Sequence, residues 1–277
     1  MHLRIISGLL ESKSKTSKSI GMNKLKKDIT IGYPCYDGRC EFQAAQNLFM
    51  AMGSANSRVA NVKYLPGDSL VSRARNKITA AFLSGDTEYL LFIDSDILFN
   101  VAHIERLREW DKGVIGGVYF KKKIPYEAVA NSHNGTDDDG LYLMNEIGTG
   151  FMMIRRDVFD AIREKFPERA YKKEGDEQDM DSGYFDYFPV GVHNGRYLSE
   201  DYYFCQMARD CGYNIYYDTS IIVSHRGSAT YPFKDNDMFE TSADILHKYH
   251  TNAPLPKEML DKIQAGLNHQ RTARGYE

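Results

Sequence analysis

No apolar run in the 277 residues approaches the ~20 that a membrane-spanning helix requires. The opening segment MHLRIISGLLESK has a short apolar patch and no small-residue cleavage site, which argues against a secretory leader. Cysteine is scarce as well. Cys35, Cys40, Cys205 and Cys211 form no CxxC pair and no zinc spacing, and four are too few for a disulfide scaffold. A cytoplasmic setting is the expectation. An excess of one charge is also missing, because a net charge of −3 gives no field for a polyanionic partner. A basic stretch from Lys13 to Lys27, including Lys15, Lys18, Lys24 and Lys26, reads as a solvated extension or a loose contact for an acidic surface. No internal repeat is present.

What the chain does have is the balance of a globular protein, 42% apolar and 26% charged, with length enough to bury a sizeable core. DITIGY (28–33) reads as a short buried strand ending at Pro34, and CYDGR as turn chemistry. Phe42, Ala45, Leu48 and Phe49 recur at helical spacing, and 59–65 is a second strand closed by Pro66-Gly67. A helix over 69–84 carries the stripe Ala74, Ile78, Ala81 and Phe82. YLLFI (89–93) is a continuous apolar run, as in a central parallel strand covered on both faces. A helix over 101–110 and a strand over 114–119 complete an alternation that predicts a doubly wound α/β sheet.

The second half changes character. Short strands are expected at 126–130, 141–147 and 151–154, then a helix over 157–166. Residues 167–198, acidic and rich in tyrosine and phenylalanine, read as a long substrate-facing loop. A helix from Ser199 buries Phe204, Met207, Ala208 and Cys211, a strand over 221–224 ends at His225, and helical segments at 241–249 and 257–267 follow. The fold class expected is α/β, a mostly parallel central sheet flanked by helices, with a smaller mixed sheet supplied after Val114.

Five segments carry chemistry. LLFIDSDILF sets Asp94 and Asp96 at the carboxyl end of a buried strand, where open α/β sheets bind ligands. Carboxylates there need a balancing cation or donors. Magnesium or manganese bridging a diphosphate is a natural partner, since hard cations take oxygen ligands. The plainer alternative is one capping and one solvated aspartate. In SLVSRARN (69–76), Arg73 and Arg75 suit phosphate, or are solvated on a helix face. In EIGTGFMMIRR (146–156), Gly148 and Gly150 read as packing glycines in a turn, with close approach to a ligand as the second choice. LSEDYYF makes Ser199 an N-cap and puts Glu200 and Asp201 in the first helical turn. Two acids there either compensate the helix dipole or supply a base for a hydroxyl proton. Asp201, three residues before Phe204, falls on the core-facing stripe. IIVSHRG ends a strand at His225, either structural or a metal ligand.

Taken in order, ITIGYPCYDG, SRARN, the DxD strand, GTGF, the SED helix and the terminal histidine closely resemble the GT-A glycosyltransferases, over residues 28–227. The likeness is greatest to the family-two-like enzymes of phage, viral and bacterial genomes. It implies a GT-A-like (Rossmann-like) fold and transfer of a sugar, with inversion, from a UDP- or GDP-sugar donor to a hydroxyl acceptor. By that resemblance Asp94, Asp96 and His225 surround Mn2+ or Mg2+, with Asp94 also facing the ribose or base and Ser95 beside it. Asp201 is then the base, with Glu200 next to it. Tyr33 and Pro34 line the nucleotide pocket with Arg75 nearby, and Gly150 and Phe151 border the sugar. The implied organisation is a basic extension (1–27), a catalytic domain (28–230) of nucleotide-binding (28–120) and acceptor-binding (121–230) halves, and a helical tail (231–277). The SRARN helix is similar as well to the fungal Golgi mannan-polymerase mannosyltransferases, retaining enzymes for which Asp201 need not be a base.

The acceptor classes expected are a glycan, a lipid-linked saccharide or a protein. Modified bases of viral DNA are an alternative, but the near-neutral charge gives no electrostatic footprint for nucleic acid. A haloacid-dehalogenase-like phosphohydrolase also uses an apolar strand before DxD. Its usual threonine or valine is Leu98 here, and the motif lies far from the amino end. A non-catalytic carbohydrate-binding protein, with Asp94 and Asp96 merely structural, is the third class.

Overall fold

The computed structural model describes residues 25–123, 127–172, 184–227 and 230–231. In the first part β1 (Ile29–Cys35), α1 (Phe42–Gly53), β2 (Val59–Pro66), α2 (Val71–Leu83), β3 (Tyr89–Ile93), β4 (Ile97–Leu98), α3 (Val101–Glu109) and β5 (Val114–Val118) follow one another. Then come β6 (Ala130–Thr136), β7 (Tyr142–Ile147), β8 (Phe151–Arg155), α4 (Arg156–Lys165), β9 (Gly191–His193) and β10 (Arg196–Leu198). The last are α5 (Glu200–Asp210), β11 (Ile215–Ile222), β12 (Ser224–Arg226) and β13 (Thr230–Tyr231).

Eight strands form one sheet in the order β2-β1-β3-β8-β5-β11-β7-β6. β1 pairs parallel with β2 and β3, and β5 with β11, while β8 and β7 run against both neighbours. Six of the eight strands therefore point one way, the mostly parallel α/β sheet that the alternation predicts. The small sheets, β9-β10 and β13-β12-β4, are antiparallel rather than mixed.

YLLFI is wholly buried because helices cover both faces of β3. Leu90 and Phe92 pack with Ile78 and Phe82 of α2, Phe159 of α4 and Phe204 of α5. Tyr89, Leu91 and Ile93 share the opposite layer with Ala51 of α1 and Ile104 and Leu107 of α3. Each such side chain contributes about 1.5–3 kcal/mol on burial. The two cores fix β3 from above and below, so the turn that follows it is held rigidly.

Several expectations shift. α1 is a helix, but it buries Ala44 and Ala51, while Phe42 and Phe49 are 82% and 76% exposed. Alanines let α1 lie close against β2 and β4. The strand expected at 126–130 is instead β6 from Ala130; it is an edge strand whose exposed Asn134, Gly135 and Thr136 give no apolar pattern. The strand expected at 221–224 starts at Ile215, because buried Asp218 is satisfied by Trp110 Nε1 (2.7 Å), Arg106 and Ser220, and so sits inside β11. The aromatics read as a substrate-facing loop are core: Phe185, Tyr187 and Phe188 are buried. Residues 173–183 of that stretch, the extension 1–24 and the helical segments at 241–249 and 257–267 lie outside the described residues.

Candidate functional site

β1, β3 and β5 end at one edge of the sheet, and β8, running the other way, begins there. Ile93 pairs with Phe151, and Asp94 N–H donates to the Gly150 carbonyl at 3.0 Å. Asp94 to Ile97 close a turn, with Ile97 N–H on the Asp94 carbonyl. The DxD aspartates thus sit on a short turn pinned from both sides.

Asp94 faces Arg75, which α2 presents from within the core layer. The Arg75 Nη2 donates to Asp94 Oδ2 at 3.2 Å and lies 3.0 Å from Oδ1, while Nε reaches Glu200 Oε1 at 3.4 Å. Arg75 is 2% exposed and its guanidinium stacks over Phe92. Burial works against its charge, but Asp94 and Glu200 more than offset that and hold it protonated. Among the described residues, Arg75 Nη1 and Thr149 Oγ1 are buried with no hydrogen-bond partner, and Asp94 Oδ1 has only its charge pairing with Arg75 Nη2. Buried polar atoms are seldom left so, and these mark where a ligand's polar groups or water fit.

Asp201 stands on the other side of that bridge, at the start of α5. Burial, then the neighbouring Glu200, pushes its carboxyl up to about 6, against the opposing pull of Ser199, the Tyr202 N–H and Arg75. Ser199 is the N-cap by position, but its hydroxyl donates to Asp201 rather than capping an N–H. Asp201 Oδ1 itself accepts from Tyr202 N–H at 2.8 Å. A carboxyl raised toward neutrality and anchored this way is suited to accepting a proton.

Asp96 occupies a more open position. β4 pairs with β12 in the register Ile97–His225, which carries the imidazole to the aspartate. His225 Nε2 lies 3.4 Å from Asp96 Oδ2, and Nδ1 lies 2.7 Å from the Phe120 carbonyl. A carbonyl can only accept, so Nδ1 donates to it, which leaves Nε2 turned toward Asp96. This orientation is the one metal-binding histidines adopt. Lys122 Nζ bonds the same Asp96 oxygen. Burial raises Asp96, but the hydrogen bonds from His225 and Lys122 outweigh it and hold the carboxyl down at about 2.

Among the described residues no three His, Cys, Asp or Glu side chains stand together as a complete metal cage. Asp96 and His225 converge, whereas Asp94 is engaged by Arg75. One carboxylate and one imidazole fit a divalent cation that keeps other positions for diphosphate oxygens and water.

The other residues singled out divide clearly. Tyr33 ends β1 with its hydroxyl 3.3 Å from the Ser95 carbonyl and 3.0 Å from Cys40 Sγ, so the tyrosine touches the DxD turn. Pro34 is buried within β1. Gly150 lies against Asp94, where a Cβ would come 3.2 Å from Oδ2. Phe151 is fully buried beside Phe99, inside the core layer rather than on an open surface. Arg73 is turned away to Asp68, which its guanidinium contacts at 2.7 Å. Asn76 stitches the 184–190 stretch to α2, donating to Asp186 at 2.7 Å and accepting from the N–H groups of Tyr187 and Phe188. Arg156, at the end of the GTGF segment, caps α2 by donating to the carbonyls of Phe82, Leu83 and Gly85.

Tyr119, Thr149 and Lys122 escaped the sequence reading. Tyr119 joins both halves of the site: its ring meets His225 edge-on at 5.4 Å, and its hydroxyl accepts from Gly150 N–H at 3.0 Å. It also explains the glycines, since a Cβ at Gly148 would come 2.0 Å from the Tyr119 hydroxyl. Only the position of Tyr119, closing an apolar strand, hinted at it.

No family model matches this chain, and no curated protein does. Solved structures that match include A197 from STIV, at 16% identity and a TM-score of 0.45, covering 72% of this chain and 85% of that one. GalNAc-T7 with UDP, GalNAc and Mn2+ matches at 11% identity and a TM-score of 0.37, over 73% of this chain and 44% of its own. The inositol-1-phosphate CTP transferase from T. maritima matches at 10% and 0.35, over 71% and 86%. At such identities and scores, the function of this site has to be read from its own residues. No helix among the described residues is long and apolar enough to cross a membrane.

Proposed function

We propose that this chain is a metal-dependent glycosyltransferase that takes a UDP- or GDP-sugar donor and transfers the sugar to a hydroxyl acceptor. The observation that carries this reading is the pairing of Asp96 Oδ2 with His225 Nε2, 3.4 Å apart, the ring fixed by the Phe120 carbonyl. Mn2+ or Mg2+ on these two groups would neutralise the diphosphate that leaves. Tyr33, Pro34 and Ser95 would form the nucleotide side, and Gly150 with Asp94 the sugar side, Phe151 backing it from the core. Asp201 would take the acceptor's proton as the hydroxyl oxygen forms its bond to the anomeric carbon and the bond to the diphosphate breaks. Glu200, tied to Arg75, would position it. Residues 28–230 would act as one catalytic domain, because β8 of the second half lies between β3 and β5 of the first.

The test is a screen of nucleotide sugars with Mn2+ present, following release of nucleoside diphosphate. One donor released faster than in a protein-free control supports the proposal. No release from any donor, with inorganic phosphate freed from phosphomonoesters instead, would move the chain to the phosphohydrolases.

A further inference from the structure

Three consecutive lysines follow β5, and they are not equivalent. Lys121 and Lys123 both pair with Glu127, whose carboxyl they hold below its usual range. Lys122, between them, turns the other way onto Asp96 Oδ2, the oxygen that His225 Nε2 also faces. The same short segment therefore does two things: the Phe120 carbonyl orients the imidazole, and two residues later an ammonium neutralises the aspartate. Lys122 is 38% exposed on a flexible stem, unlike sealed Arg75, so its charge can leave Asp96 without leaving water.

A divalent cation bound by Asp96 and His225 must compete with that ammonium, because both draw on one carboxylate oxygen. Once displaced, the ammonium stays within a side-chain length of the cation and close to any diphosphate the cation holds. We infer that Lys122 is the resting counter-ion of Asp96 and becomes a diphosphate-gripping residue when a divalent cation takes that carboxylate. This rests on the donor site proposed above. It gives Lys122 two opposite effects, which a merely structural lysine would not have.

Calorimetry separates them, with wild type, Lys122→Gln, Lys122→Arg and Lys123→Gln titrated first with Mn2+ alone and then with UDP and GDP at saturating Mn2+. Lys122→Gln should bind Mn2+ alone more tightly and, with Mn2+ present, bind the preferred nucleoside diphosphate about tenfold more weakly, the scale of one charge-assisted hydrogen bond. Lys122→Arg should keep most of the diphosphate affinity, and Lys123→Gln should match wild type in both titrations. Wild type binding both ligands while Lys122→Gln is unchanged in either titration would overturn this inference and leave the donor site standing. Wild type binding neither Mn2+ nor a nucleoside diphosphate would overturn both.

Discussion

The two halves of the site are built on opposite principles. Around Arg75 a guanidinium 2% exposed is clamped between Asp94 and Glu200 and lies over the Phe92 ring. Around Asp96 the partners are a surface lysine and an imidazole, on a carboxylate 36% exposed. Charges in the first cannot separate without leaving a buried ion unpaired. Those in the second are open to water. The sealed half fixes the DxD turn relative to α5, and the open half is where a partner can enter.

Breaking the sealed half should have the largest effect. Arg75→Met strands two carboxylates and should cost about 3–5 kcal/mol in urea unfolding. A loss comparable to that of an ordinary surface substitution would erase the contrast between the halves. Next comes Asp201→Asn, expected to lower the transfer rate at least about a hundredfold while donor and Mn2+ affinity stay unchanged. The wild-type rate should fall as pH drops below about 6, where Asp201 gains its proton, and the variant should lose that limb. Wild-type rates in the variant, or a product of retained configuration by NMR, would remove Asp201 as base.

A smaller effect sharpens the comparison through pH. Asp201 binds its proton more tightly folded, at about 6, than unfolded, at about 4. Stability from this group is thus fully present below pH ~4 and lost as pH rises through ~6. Asp201→Asn should therefore gain up to about 3 kcal/mol on wild type at pH 8 and little at pH 4. A gain independent of pH would mean that Asp201 is not raised. The smallest effect is expected for Arg73→Met, on the same helix as Arg75 but half-exposed: about 1 kcal/mol or less by thermal melting, because Lys77 still holds its buried partner Asp68 at 2.8 Å.

How much of this was legible in the sequence followed from burial. β1, β3, β5 and α2 were readable because apolar runs and stripes report two covered faces. Asp94, Asp96 and His225 could be singled out because each stands at or just past the end of such a run. What stayed hidden were groups whose role comes from long-range contact. Arg73 and Arg75 look alike in SRARN, and only packing sends one to Asp68 and the other to Asp94. Tyr119 looked like the end of a strand until the turn at Gly148 and Gly150 came to lie under it. Lys122 is indistinguishable from Lys121 and Lys123 without Glu127 to claim those two. Phe42 and Phe49 misled for the converse reason: their spacing is helical, but the buried face of α1 is the alanine one.

The central claim, that Asp96 anchors a divalent cation carrying a nucleoside diphosphate, is tested most directly by calorimetry of UDP and GDP with and without Mn2+. Wild type, Asp96→Ala and Asp157→Ala should be compared, Asp157 being paired with Arg155 on the outer side of α4. The prediction is Mn2+-dependent binding of one nucleotide in wild type and Asp157→Ala, abolished in Asp96→Ala. Equal affinity in wild type and Asp96→Ala would contradict it.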